Sequence, residues 1–109
     1  MKECFSIQEI NEKEFEIFYK EGFVFLNFFS EDCMSSLVME PIIEDLFSEF
    51  NEKIKFVKMY LENNKDLIKK LEIQRTPSFV LIKDGRILDK FSGEKTFEEI
   101  EERLKRFII

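Results

Sequence analysis

Apolar and polar positions along the chain change their period several times, and each change marks an element. Residues 23–29, Phe-Val-Phe-Leu-Asn-Phe-Phe, are apolar at odd and even positions alike apart from Asn27. A strand covered on both faces reads this way, as in a parallel sheet packed between helices. From Cys33 the spacing turns helical. Met34, Leu37, Val38, Ile42, Leu46 and Phe50 follow one another at three- and four-residue steps, which predicts a long inward face ending near Phe50. Pro41 falls inside that helix and predicts a kink.

Shorter signals fill in the rest. Residues 3–7 fit a short strand. Asn11 with Glu14 forms a capping-box pattern ahead of Phe15, Phe18 and Tyr19 on one helical face, and Gly22 closes that helix. Residues 54–61 read as a strand. A short helix runs from an Asn63/Asn64 cap to Leu71, burying Leu67, Ile68 and Leu71. Residues 78–82 and 87–91 are apolar runs joined by Lys-Asp-Gly-Arg, a hairpin signal in which the loop is two residues or longer. Thr96 with Glu99 caps a last helix whose inner face is Phe97, Ile100, Leu104 and Phe107. The order β-α-β-α-β-α-β-β-α predicts an α/β fold: one mixed central sheet with helices on both faces.

Composition narrows the chemistry. At 109 residues and 44% hydrophobic, with 14 phenylalanines, the chain suits one domain over residues 1–109 with one aromatic-rich core. A formal charge of −6 argues against nucleic acid as a partner. No apolar run approaches the length of a membrane span. The first fifteen residues lack the apolar region of a signal peptide, so the expected location is cytoplasmic. Histidine is absent, which removes Cys/His zinc sites and histidine-based catalysis. Two cysteines, Cys4 and Cys33, do not make a disulfide framework.

Cys33 sits where a strand meets a helix. Unpaired N–H groups at a helix start favour thiolate over thiol, and thiolate is the form that attacks disulfides. Glu31 and Asp32 precede it and oppose ionisation by like charge. A small buried hydrophobe is the competing reading of such a cysteine. Pro77 begins a strand after Thr76, a position compatible with either peptide isomer.

Taken together, Phe-Leu-Asn-Phe-Phe-Ser-Glu-Asp-Cys-Met-Ser-Ser-Leu-Val-Met-Glu-Pro, the segment Thr76-Pro77-Ser78-Phe79, and Gly85 and Gly93 resemble thioredoxins in order and spacing over nearly the whole chain. The resemblance implies a thioredoxin fold with Pro77 as the family's cis-proline facing Cys33. It also implies an extended substrate segment docked beside Thr76, with Met34 and the Ser92–Gly93 loop as walls. Lys58 and Pro41 agree with the family too. The departures are specific. Ser36 replaces the resolving cysteine, Asp32 the tryptophan, and Asn27 the buried aspartate. Arg75 stands where glycine is frequent, and is expected near Cys33, where it would offset the acidic pair.

A serine cannot complete a two-thiol exchange. The cycle expected for Cys33-Met34-Ser35-Ser36 is therefore monothiol: Cys33 attacks a protein or small-molecule disulfide, and an external thiol or reductase resolves the intermediate. Ser36 is expected to donate a hydrogen bond to the Cys33 thiolate. Cys4 is expected to lie in its strand, out of reach. Were Ser36 an introduced replacement, the natural motif would read Cys-Met-Ser-Cys and run as a dithiol pair. The alternative from another class is a binding module that keeps the groove beside Pro77 and has lost turnover. No metal or organic cofactor is implied, and a monomer is expected.

Overall fold

The computed structural model describes residues 7–30 and 33–108. The elements are β1 (Gln8–Glu9), α1 (Glu12–Phe18), β2 (Phe23–Phe29), α2 (Met34–Phe50), β3 (Ile54–Tyr60), α3 (Lys65–Lys70), β4 (Ser78–Lys83), β5 (Arg86–Ser92) and α4 (Phe97–Ile108). They form one five-stranded sheet in the order β1-β3-β2-β4-β5. β1, β3 and β2 run parallel, whereas β4 is antiparallel to β2 and β5 to β4. The element order matches the one expected from the pattern. The strand expected over residues 3–7 lies, apart from Ile7, outside the described residues.

β2 is the centre of the sheet, and its unbroken apolar sequence explains why. Phe25 points to a core shared with Met39, Ile43, Leu46 and Phe50 of α2 and Ile100 and Leu104 of α4. Val24, Leu26 and Phe28 point to the other core, with Phe15 of α1 and Leu67 of α3. Phe25 stacks on Phe79 at 5.8 Å and meets Phe56 edge-on at 5.3 Å, geometry that adds to simple area burial.

Turns and caps are specific. The hairpin between β4 and β5 has the shortest loop, Asp84–Gly85, with Lys83 paired to Arg86 and positive φ at both loop residues (50° and 86°). Asp84 also accepts the Gly22 N–H at 2.8 Å and returns its own N–H to the Gly22 carbonyl, tying the entrance of β2 to this hairpin. Gly22 (φ 74°) therefore shapes the turn into β2, while α1 itself ends earlier, at Phe18. Both capping boxes form, Asn11 with Glu14 and Thr96 with Glu99. Asn64 differs from expectation. Its side chain accepts the Glu12 N–H of α1 and donates to the Tyr60 carbonyl, while Glu12 accepts the Leu67 N–H of α3, so each helix start is served by a residue from the other.

Two helix faces need correction. In α2 the buried positions are Ser36, Met39, Ile43, Leu46 and Phe50, whereas Met34, Leu37 and Val38 are exposed. Cys33 caps the helix, and the sheet takes the face of Met39 and Ile43, which leaves these three apolar residues outward near the cysteine. In α4, Phe107 is exposed and Ile108 packs against the core in its place.

Candidate functional site

β2 leads directly to the site. Cys33 is the N-cap of α2, in extended conformation, with its N–H donating to the Ser30 carbonyl (3.2 Å) and its carbonyl accepting the Ser36 N–H (3.1 Å). Its thiol donates to the Thr76 carbonyl at 3.4 Å, bridging 43 residues of sequence. The Thr76–Pro77 bond is cis. Beyond it, the Pro77 carbonyl accepts the Gly93 N–H at 2.9 Å, so the loop after β5 closes the same corner. Ser35 donates to Glu94 at 2.8 Å and ties α2 to that loop.

Ser36 is almost wholly buried, and its hydroxyl accepts the Ser30 N–H at 3.4 Å. Cys33 is partly exposed, and its pKa is lowered from the ordinary thiol value. The Thr76 side chain is the largest cause, followed by the Ser36 N–H, the Ser36 hydroxyl and, opposed by partial burial, the Ser35 N–H. The Thr76 carbonyl can accept only from the neutral thiol, so on ionisation these donors take over as its partners. Arg75 is not among the groups that lower Cys33. Its guanidinium lies instead beside Gly93, with Nη2 3.9 Å from where a β-carbon there would sit.

Asn27 lies on the same face of β2 as Phe25 and is fully buried. It donates to the carbonyls of Phe25 (3.2 Å) and Val57 (3.0 Å), while its Oδ1 has no partner among the described residues. Lys58 stands opposite it in register, with Nζ 5.8 Å from the Phe29 ring centroid. Among the described residues no group of three or more Cys, Asp or Glu side chains is placed to hold a metal. The site is an open corner. A hollow of about 500 Å³ opens at the other end of β2 around Gly22, Phe23 and Ile54.

The family model described as thioredoxin matches residues 6–106. The chain belongs to the thioredoxin family. Thioredoxin from Listeria monocytogenes is 26% identical over 102 residues, covering 94% of this chain and 99% of that protein. The Bacillus subtilis thioredoxin is 24% identical over 103 residues, with the same coverage. Mitochondrial thioredoxin 3 of Saccharomyces cerevisiae, in its oxidized form, superposes with a TM-score of 0.84 at 25% identity, covering 95% of this chain and 98% of that one. A second chain comes from work on the thiol-resolving mechanism of yeast mitochondrial 1-Cys peroxiredoxin via glutathione and thioredoxin systems. It superposes with a TM-score of 0.85 at 26% identity, covering 97% of this chain and 100% of that one.

This member of the thioredoxin family thus has the fold that the sequence resembled, and family and fold support thiol–disulfide oxidoreductase chemistry in general. Cys33, Ser36 and Thr76 come together, Pro77 follows Thr76 through the cis bond, and Gly93 joins through the Pro77 carbonyl. Met34 projects into solvent from the first turn of α2. Cys4 lies outside the described residues. Ser30, Ser35, Glu94 and Lys95 were not singled out by the sequence reading. The Ser35–Glu94 pair spans 59 residues without any motif to announce it. No described helix is long and apolar enough to cross a membrane.

Proposed function

We propose that this chain works as a monothiol thiol–disulfide oxidoreductase. The observation that carries the reading is the thiol of Cys33, partly exposed at the start of α2 and ringed by the Thr76 side chain and the Ser36 N–H and hydroxyl, all of which lower its pKa. In the first step the Cys33 thiolate forms a bond to one sulfur of a protein or small-molecule disulfide, and the other sulfur leaves with the bonding pair as a thiolate. Ser36 has no sulfur with which to displace the product. Its role is to donate a hydrogen bond that holds the Cys33 charge. An external thiolate then forms a new disulfide with the bound partner, and Cys33 departs as thiolate. Each step breaks one S–S bond and makes one, and the electrons come from the external thiol.

An extended substrate segment docks along Thr76 and Pro77, with Met34 and Gly93 as its walls, in the manner of strand addition. A cytoplasmic setting, where ambient thiols stay reduced, suits the cycle.

The test combines two measurements. Alkylation rate against pH gives the Cys33 pKa, and disulfide reduction is followed with glutathione and with dithiothreitol. The expected results are a midpoint below the free value of about 8.5, turnover that scales with external thiol, and a mixed disulfide on Cys33 visible by mass spectrometry. A second reading, a binding module without turnover, draws on Ser36, which has no sulfur to resolve a mixed disulfide, and on the amide at Asn27, which cannot serve as a base. A midpoint at or above about 8.5 with no reduction by either thiol would select it.

A further inference from the structure

Gly93 has φ 89° and no side chain, which leaves a notch beside the Pro77 carbonyl that its N–H binds. Two cations face that notch. A β-carbon on Gly93 would lie 3.8 Å from Lys95 Nζ and 3.9 Å from Arg75 Nη2. Lys95 is held in place: its Nζ donates to the Ser92 carbonyl at 2.8 Å and its N–H to Met39 Sδ at 3.4 Å. Arg75 makes no ion pair or side-chain hydrogen bond with a described residue. The neighbouring Glu94 accepts a hydrogen bond from the Ser35 hydroxyl at 2.8 Å, which orients its carboxylate and leaves its charge in place. Beside Arg75 a hollow of about 320 Å³, lined among others by Ile73, Ser78, Lys90 and Ser92, offers room for a small molecule. On a chain of net charge −6, two cations turn to one point beside the Pro77 carbonyl, with the carboxylates of Glu94 and Glu99 also near Lys95.

Resting on the monothiol cycle, we infer that Arg75 and Lys95 form an anion subsite at Gly93 that takes the carboxylate of a low-molecular-weight thiol or disulfide as it reacts at Cys33. A thiol of this class must enter while Cys33 already carries its partner, so a charge anchor on the Gly93 wall, beside Thr76 and Pro77, leaves that partner's backbone pairing along them in place. The guanidinium offers the planar fork that fits a carboxylate, and the ammonium adds a point charge. The incoming thiolate makes the new S–S bond and Cys33 leaves as thiolate, as in the cycle above.

Second-order rate constants for Cys33 with glutathione disulfide, which carries carboxylates, and with neutral 2-hydroxyethyl disulfide test this directly. The readout is the anionic-to-neutral ratio in the wild type, Arg75→Gln, Lys95→Gln, the double variant and Arg75→Lys. Opposite unit charges ~5 Å apart in water are worth about fourfold in rate. The ratio should fall by about that factor for each lost cation, recover in Arg75→Lys, and shrink in high salt. A ratio within about twofold of wild type in the double variant overturns the subsite. Failure of the wild type to react with either disulfide would instead refute the monothiol cycle. The subsite is then read from NMR titration with S-methylglutathione, which cannot exchange. Shifts at the Gly93 and Lys95 amides that its diethyl ester does not cause support the subsite, and shifts equal for both, or absent, overturn it.

Discussion

Replacing Asn27 by aspartate exchanges an amide for a carboxyl group at a fully buried position, and the structure sets the cost. In the native side chain Nδ2 donates to two carbonyls, Phe25 at 3.2 Å and Val57 at 3.0 Å. A protonated carboxyl in its place has one O–H for the two acceptors, so one carbonyl is orphaned at a cost of about 1–3 kcal/mol. The ionised carboxylate has no donor and sets its charge against both carbonyl oxygens in a dry site. Burial and carbonyl repulsion raise the folded pKa of the new group above its unfolded value of about 3.9, to roughly 7 for a group this enclosed. Between those two values the native state holds one more proton than the unfolded state. Stability therefore falls as pH rises, by about 1.4 kcal/mol per pH unit, and the loss is complete above the folded pKa. The Asn27→Asp variant should trail the wild type by about 1–3 kcal/mol at pH 4 and by about 5–7 kcal/mol at pH 8, a large part of a typical domain's stability. Urea unfolding of both proteins, followed by circular dichroism at the two ends of that pH range, measures the gap. A gap that stays flat would refute the reasoning. It would mean that the carboxylate has found a cation, with Lys58 across the ladder the candidate.

Three further outcomes are expected. Thr76→Val removes the largest influence lowering the Cys33 pKa, so the pH midpoint of its alkylation should move up toward the free-thiol value. Because a lowered thiol pKa adds stability above the unfolded pKa and loses it as pH falls through the folded one, any linked stability loss in this variant belongs on the alkaline side. Met39→Ala empties a fully buried site between α2 and the sheet and should cost about 2–5 kcal/mol in denaturant unfolding, a cost that rules out a merely peripheral role. Gly85→Ala meets only Tyr19 Cε2 at 3.8 Å, so its penalty is the φ of 86° alone; ~1–2 kcal/mol lower stability and a drop of several degrees in Tm would follow.

Much of the fold was legible because several elements declare themselves locally. β2 is bounded by its own unbroken apolar run, the hairpin by Asp84–Gly85, and the two capping boxes by residues three apart. The face of α2 was less legible. Its first turns carry apolar residues on both sides, and only the neighbouring sheet decides that Met39 and Ile43 go inward while Leu37 and Val38 do not. Asn64 reads as an ordinary cap, but its partners are on α1 and β3, which no local window contains. At the site, Cys33 and Pro77 stood out through their place beside a strand, and their resemblance to one family brought them together. Arg75 was expected near Cys33 because it stands one residue from the docking segment, where it would offset the acidic pair Glu31 and Asp32. It is not among the groups that lower the thiol's pKa, and its guanidinium faces Gly93 of the loop after β5, a long-range placement without a sequence signal.

Cys33 and Thr76 are 43 positions apart, and they meet only because β2 and β4 lie side by side in register, with Phe28 against Ser78. In an unfolded chain Thr76 is no longer held against the sulfur, and the thiol returns to ordinary acidity. Its acidity is therefore a gauge of assembly. A reagent that discriminates thiolate from thiol reports, from a single atom, whether the centre of the sheet has formed.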